Sequence, residues 1–86
     1  MFTVYVLYSR SFDKIYIGYT SDLKERFLSH NELGTKGWTI PYRPWEIIYT
    51  ETCESKKAAM KREKALKTGG GRRFLRKEIL PKYLEG

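Results

Sequence analysis

The sequence predicts a mixed α/β fold of the α+β kind, with elements in the order β-β-α-β-α-α. Three observations carry that expectation. The stretches Phe2–Tyr8 and Lys14–Tyr19 are rich in β-branched and aromatic residues, as half-buried strands are. Asp22 and Ser55 are residue types that cap helices, and each precedes a run of helix formers. Glycines and prolines fall between these stretches and punctuate them.

Taken in order, Phe2–Tyr8 forms the first strand, and Ser9–Phe12 closes a hairpin into Lys14–Tyr19, where Ile15 and Ile17 alternate with Tyr16 and Gly18. With that loop Tyr8 opposes Asp13, and counting back sets Tyr5 opposite Tyr16 on one face of the hairpin. The first helix starts at Asp22, with Glu25 in the position of a capping box, and runs to about Asn31. Gly34 and Gly37 mark a loop. Pro41 and Pro44 bracket an extended segment that leads into a third strand, Trp45–Thr50. Ser55 caps a second helix over Lys56–Lys67, which Gly69-Gly70-Gly71 stops and turns. A last helix, Arg72–Ile79, ends before Pro81.

Eighty-six residues allow one domain spanning 1–86, since a second core would have too little to bury. With 15% aromatic residues the chain is not a disordered one. The single Cys53 excludes an internal disulfide and a cysteine-rich zinc site, and fits a reducing, cytoplasmic setting. No apolar run approaches the roughly 20 residues of a membrane span. The N-terminal segment lacks the basic start and small-residue cleavage site of a signal peptide and is expected to be a strand.

Seventeen Lys and Arg against ten Asp and Glu give a net charge of +7. The sequence pI of about 9.6 is in the range of nucleic-acid binders. The charge is concentrated: Lys56 to Lys77 holds ten basic residues and one acid, Glu63. Lys56, Lys61, Lys64, Lys67, Arg72, Arg73 and Arg76 are the expected nucleic-acid contacts. A solvated helix surface is the plain alternative. A membrane partner is not expected, because the stretch has no wide apolar face with Trp or Phe to insert.

Within the first helix Leu23 and Phe27 form an apolar i, i+4 stripe, and Arg26 and His30, also i, i+4, lie beside it. A partly buried guanidinium there needs an anion. In the second helix Glu63 falls at the edge of the face formed by Ala59 and Leu66. It either pairs with Lys67 at i, i+4 or holds a divalent cation that a phosphate also touches. Tyr5 and Tyr16 sit in the two hairpin strands, where tyrosine commonly serves as a sheet aromatic.

These residues resemble the GIY-YIG nuclease superfamily. Thr3-Val4-Tyr5 lies eleven residues ahead of Tyr16-Ile17-Gly18, matching its paired motif. Asp22-Leu23-Lys24 with Arg26, then His30, and later Arg62-Glu63-Lys64 continue the match in the right order. The whole chain is similar to the short, single-domain bacterial branch, and to the nuclease module of the nucleotide-excision endonuclease, a DNA-repair enzyme. The resemblance implies a small three-stranded antiparallel sheet flanked by helices, and a metal-dependent endonuclease that hydrolyses nucleic-acid phosphodiesters, DNA foremost. By the same resemblance Tyr5 activates or orients the attacking water and Tyr16 shares the site. Arg26 holds the scissile phosphate, Glu63 binds one Mg²⁺ or Mn²⁺, and His30 matches a position that in some members assists the tyrosine or the water. To act as a base, Tyr5 needs nearby cations to lower its ordinary pKa of about 10.

Two positions depart from the family pattern. Thr3 stands where the first motif has glycine, and Gly69-Gly70-Gly71-Arg72-Arg73 occupies the region where many members carry a phosphate-orienting Asn or Gln. The alternative is a nucleic-acid-binding module of the same fold that is non-catalytic, cuts poorly, or cuts only with a partner. Eighty-six residues leave no separate specificity domain, so site selection falls to a partner protein or to DNA structure.

Overall fold

A computed structural model of the protein describes residues 1–34 and 37–86, with Leu33 described in its backbone alone. The middle of the loop expected between Gly34 and Gly37 thus lies outside the described residues. The expected α+β architecture is present. Strands β1 (Phe2–Ser9), β2 (Lys14–Thr20) and β3 (Glu46–Cys53) form an antiparallel sheet in the order β2-β1-β3. Helices α1 (Leu23–Leu28), α2 (Lys56–Lys67), α3 (Gly69–Phe74) and α4 (Leu80–Glu85) flank it.

Alternation along β1 divides the core between the two sheet faces. Val4, Val6 and Tyr8, with Ile15 and Ile17, pack under Ala59 and Leu66 of α2 and under Leu75 and Leu80. Tyr5 and Leu7 lie on the opposite face with Trp45, and Leu23 and Phe27 of α1 cover them. Tyr16 packs on this second face with Tyr5.

The hairpin register differs from expectation by two residues. Ser9 stays in β1 and pairs with Lys14, so the loop is 10–13, closed by Asp13 at φ 52°. Tyr5 therefore faces Gly18, and Tyr16 faces Leu7. A slip of two residues preserves the face, so both tyrosines still point the same way.

Asp22 caps α1 by accepting from the backbone N–H of Glu25 at 3.1 Å, as its sequence position implies. The regular helix ends at Leu28 rather than near Asn31, and Ser29–Leu33 continues as a wider π-type turn. Arg43 fastens that turn, donating to the carbonyls of His30 at 2.6 Å, Ser29 at 3.0 Å and Gly34 at 2.7 Å. Asn31 grips the Trp45 backbone from both sides, accepting from its N–H and donating to its carbonyl. Strand β3 runs to Cys53, beyond the expected Thr50, because it pairs with β1 as far as Phe2.

Helix α2 has the expected limits, with Ser55 accepting from the Ala58 N–H. The glycine run does not form a turn. Thr68 ends α2 and caps α3, which begins at Gly69. A Cβ on Gly71 would collide with the backbone of Ala65 and Leu66, so the sharp change of direction between the two helices requires glycine there. Helical backbone then continues through Leu75–Ile79 into α4. Pro81 does not end it, because it lies in the first turn of α4, where a missing N–H costs little.

Candidate active site

Tyr5 is buried at the centre of the sheet, 1% exposed, with its ring over Gly18. A Cβ at Gly18 would lie 2.6 Å from Tyr5 Oη and 2.8 Å from Cζ, so the phenol fills the space a side chain would take. Tyr16 is its diagonal neighbour, with ring centroids 6.2 Å apart.

His30 comes from the π-type turn after α1 and is also buried. Its Nε2 lies 2.9 Å from Tyr5 Oη, and its Nδ1 lies 3.0 Å from Thr39 Oγ1. Burial, then the charges of Arg26 and Arg43, hold the imidazole pKa below the ordinary histidine range. His30 is therefore neutral near pH 7, able to accept at one nitrogen and donate at the other. Burial, with Tyr16 next in weight, pushes the Tyr5 phenol well above the ordinary tyrosine range, and Arg26 only partly opposes this. Desolvation thus outweighs the protein's own cation, and Tyr5 rests as a neutral phenol.

A cavity of about 400 Å³ opens beside the tyrosines, lined by Tyr5, Tyr16, Gly18, Arg26, Lys56 and Glu63 among others. Arg26 is exposed at its rim rather than partly buried, and none of the ion pairs among the described residues engages it. Glu63 reaches the cavity from the edge of α2, whose Ala59 and Leu66 are buried against the sheet. Its side chain is 18% exposed and also meets Lys67 Nζ at 3.5 Å. The Lys67 pair allowed by the sequence is thus formed, and Glu63 itself lines the cavity. A second cavity, of about 260 Å³, shares Tyr16 and Arg26 with the first and adds His30, Trp38 and Thr39.

The donor set suits a hard divalent cation. One shielded carboxylate and two tyrosines line a space large enough for an ion with its waters. Among the described residues no three His, Cys, Asp or Glu side chains cluster, so a cation at Glu63 would keep most of its hydration.

The basic residues divide. Lys56 borders the main cavity, while Lys67 and Arg72 border a cleft shared with Tyr16 and Trp38. Lys61 and Lys64 are exposed on α2. Arg73 opens on a separate hollow beside Phe74 and Lys77. Arg76 donates to the Asp13 carboxylate at 3.0 Å and ties the helical C-terminal part to the hairpin.

Thr39, Arg43 and Trp38 were not anticipated from the sequence. They flank the short 3-10 turn Ile40–Tyr42, where no periodicity tells which side chains turn toward the sheet.

Residues 1–75 match the family model described as GIY-YIG catalytic domain. A UPF0213 protein of Staphylococcus epidermidis is 35% identical over 72 residues, covering 84% of this chain and 82% of that protein. A UPF0213 protein of Natronomonas pharaonis is 37% identical over 65 residues, covering 76% and 75%. One of Bacillus pumilus is 39% identical over 54 residues, covering 63% and 55%.

Proposed function

Because the chain belongs to the GIY-YIG catalytic-domain family, we propose that it is a metal-dependent endonuclease that hydrolyses phosphodiester bonds of nucleic acid, DNA foremost. The observation that carries this is the convergence of Tyr5, Tyr16, Arg26 and Glu63 on one cavity, with His30 hydrogen-bonded to Tyr5 from behind.

Arg26 grips the nonbridging oxygens of the scissile phosphate, its fork matching two of them at once. Glu63 holds Mg²⁺ or Mn²⁺, which when bound neutralises the charge that builds on the phosphate. Tyr5 positions the attacking water and takes its proton while passing its own phenolic proton to His30 Nε2. The pair suits this relay, because a bare phenolate is costly in so buried a place. With Nδ1–H donating to Thr39 Oγ1, the other imidazole nitrogen is left free to accept. Tyr16 packs against both rings and walls the site, its centroid 4.7 Å from that of His30. Lys56, Lys67 and Arg72 attract the nucleic-acid backbone to the rim, with Lys61, Lys64, Arg73 and Arg76 extending the positive field.

The test is incubation with linear, nicked and branched DNAs and RNAs in Mg²⁺, Mn²⁺ or EDTA, beside a Glu63→Gln control. Cleavage that requires metal and is lost in Glu63→Gln supports the assignment. Metal-independent cutting overturns the metal's role, and binding without cutting of any substrate overturns the assignment in favour of a binding module.

A further inference from the structure

Trp38 is half exposed although the cluster beneath it is already sealed. Trp45, Tyr5 and Leu7 are at most 2% exposed, whereas Trp38 is 52% exposed. Leaving that much indole in water gains nothing for the core. The ring is nevertheless well supported. It stacks on Tyr16 at 6.2 Å and 26°, and it contacts Tyr42 at 4.9 Å and Trp45 at 6.0 Å. An aromatic plane held rigid from below, with an open side, is a surface for another flat ring.

Its surroundings say which ring. Trp38 and Tyr16 form a shared wall between two hollows. One contains Arg26 and His30; the other contains Lys67 and Arg72. Cations on both sides of an exposed aromatic match a nucleobase with a phosphate before it and after it. A peptide aromatic would leave those cations without partners. A base inside a duplex has both faces covered by its neighbours and cannot reach the indole. Only an unpaired or extruded base can.

We propose that Trp38 seats one unpaired base of the strand that passes Arg26 and Glu63, and that Lys67 and Arg72 hold the adjoining phosphate. The proposal rests on the nuclease assignment above and adds a substrate feature to it: preference for a strand unpaired beside the cut.

The experiment reads binding in EDTA, so no cleavage is needed, with an oligothymidylate single strand and a blunt duplex of equal length as probes. Trp38→Leu keeps apolar cover but has no π-face, and Trp38→Phe keeps a smaller one. Trp38→Leu should weaken single-strand binding on the order of 5- to 150-fold, the loss of one base stack, and leave the duplex unchanged. Trp38→Phe should retain most of the affinity. A second measurement needs no variant. Of the two tryptophans only Trp38 is exposed, so the single strand should quench the emission of the native protein and the duplex should not. Equal weakening of both probes, unchanged single-strand binding in Trp38→Leu, or absence of quenching overturns the base seat. If the seat fails while the native protein still cuts in Mg²⁺, the nuclease assignment stands. If nothing is cut but the probe contrast is found, the seat stands without it.

Discussion

The Tyr5 phenol lies 2.9 Å from the Nε2 of His30, although 25 positions separate the two residues in the chain. One sits mid-strand and the other in a π-type turn that Arg43 and Asn31 hold in place. The same burial acts on them in opposite senses, raising the phenol's pKa and lowering the imidazole's, so both rest uncharged. At rest a neutral donor and a neutral acceptor meet without the cost of a buried ion, and only the proton transfer itself charges His30.

His30 makes stability depend on pH. In the unfolded chain it binds a proton as pH falls through about 6.5. The folded protein resists until its lower pKa is reached, so the unfolded state holds more protons in that window. Stability is therefore full above about 6.5 and falls on acidification until the folded pKa is passed. Thermal melts between about pH 5 and 8 should show this loss, and His30→Gln should remove that component. Cleavage by the native protein should fall over the same range, since a protonated imidazole cannot accept from Tyr5. His30→Gln should slow cleavage about 10²- to 10⁴-fold at neutral pH, the typical worth of a proton acceptor.

Gly18→Ala should damage fold and activity together. The added methyl would meet Tyr5 Oη at 2.6 Å, and the buried ring has little room to yield. The expected destabilisation is about 1–3 kcal/mol, the usual cost of overpacking, read from denaturant unfolding. Activity per folded molecule should also drop, because Tyr5 is pushed from its position against His30. Full activity in a correctly folded Gly18→Ala would separate Tyr5 from catalysis.

Glu63→Gln should keep the fold and bind nucleic acid at least as well as the native protein, since it removes a negative charge, yet lose cleavage because an amide is a poor Mg²⁺ ligand. Arg26→Ala should lower the cleavage rate on the order of 10²- to 10³-fold, as removal of one preorganised transition-state donor does. Arg26→Lys should rescue little, since an ammonium cannot grip two oxygens at once. Melting temperature, binding and single-turnover rate on the same samples check all three. A Glu63→Gln protein that cuts at the native rate would leave the carboxylate only its Lys67 pair, at 3.5 Å.

Affinity for duplex DNA should fall with salt at a log–log slope of about −0.9 for each phosphate neutralised. Arg72 borders the aromatic cleft and Arg73 faces elsewhere, so their single variants should differ. Arg72→Ala should shallow the slope by about one unit and Arg73→Ala by less. Equal effects would mean that the track wraps α3 rather than following the cleft.

The order of elements, the limits of α2, the caps at Asp22 and Ser55, and the placement of Tyr5 and Tyr16 on one face of the sheet were all legible in the residues alone. These follow from local rules: residue period, capping chemistry and strand alternation act over a few positions. The two-residue slip in register left that face intact because alternation has a period of two. The charge states of Tyr5 and His30 came instead from packing: desolvation outweighs Arg26 at Tyr5 and acts together with Arg26 and Arg43 at His30. The tertiary structure also decided that Thr39 and Arg43 fix His30 while Trp38 stays half in water. Trp38, Thr39 and Arg43 flank one short turn with no period to follow, and the hydrogen bonds of Thr39 and Arg43 reach a turn distant in the chain. The glycine run shows the same division. Local chemistry ends α2 there, but the close approach of Gly71 to Ala65 and Leu66, a packing relation, makes the run the start of the next helix.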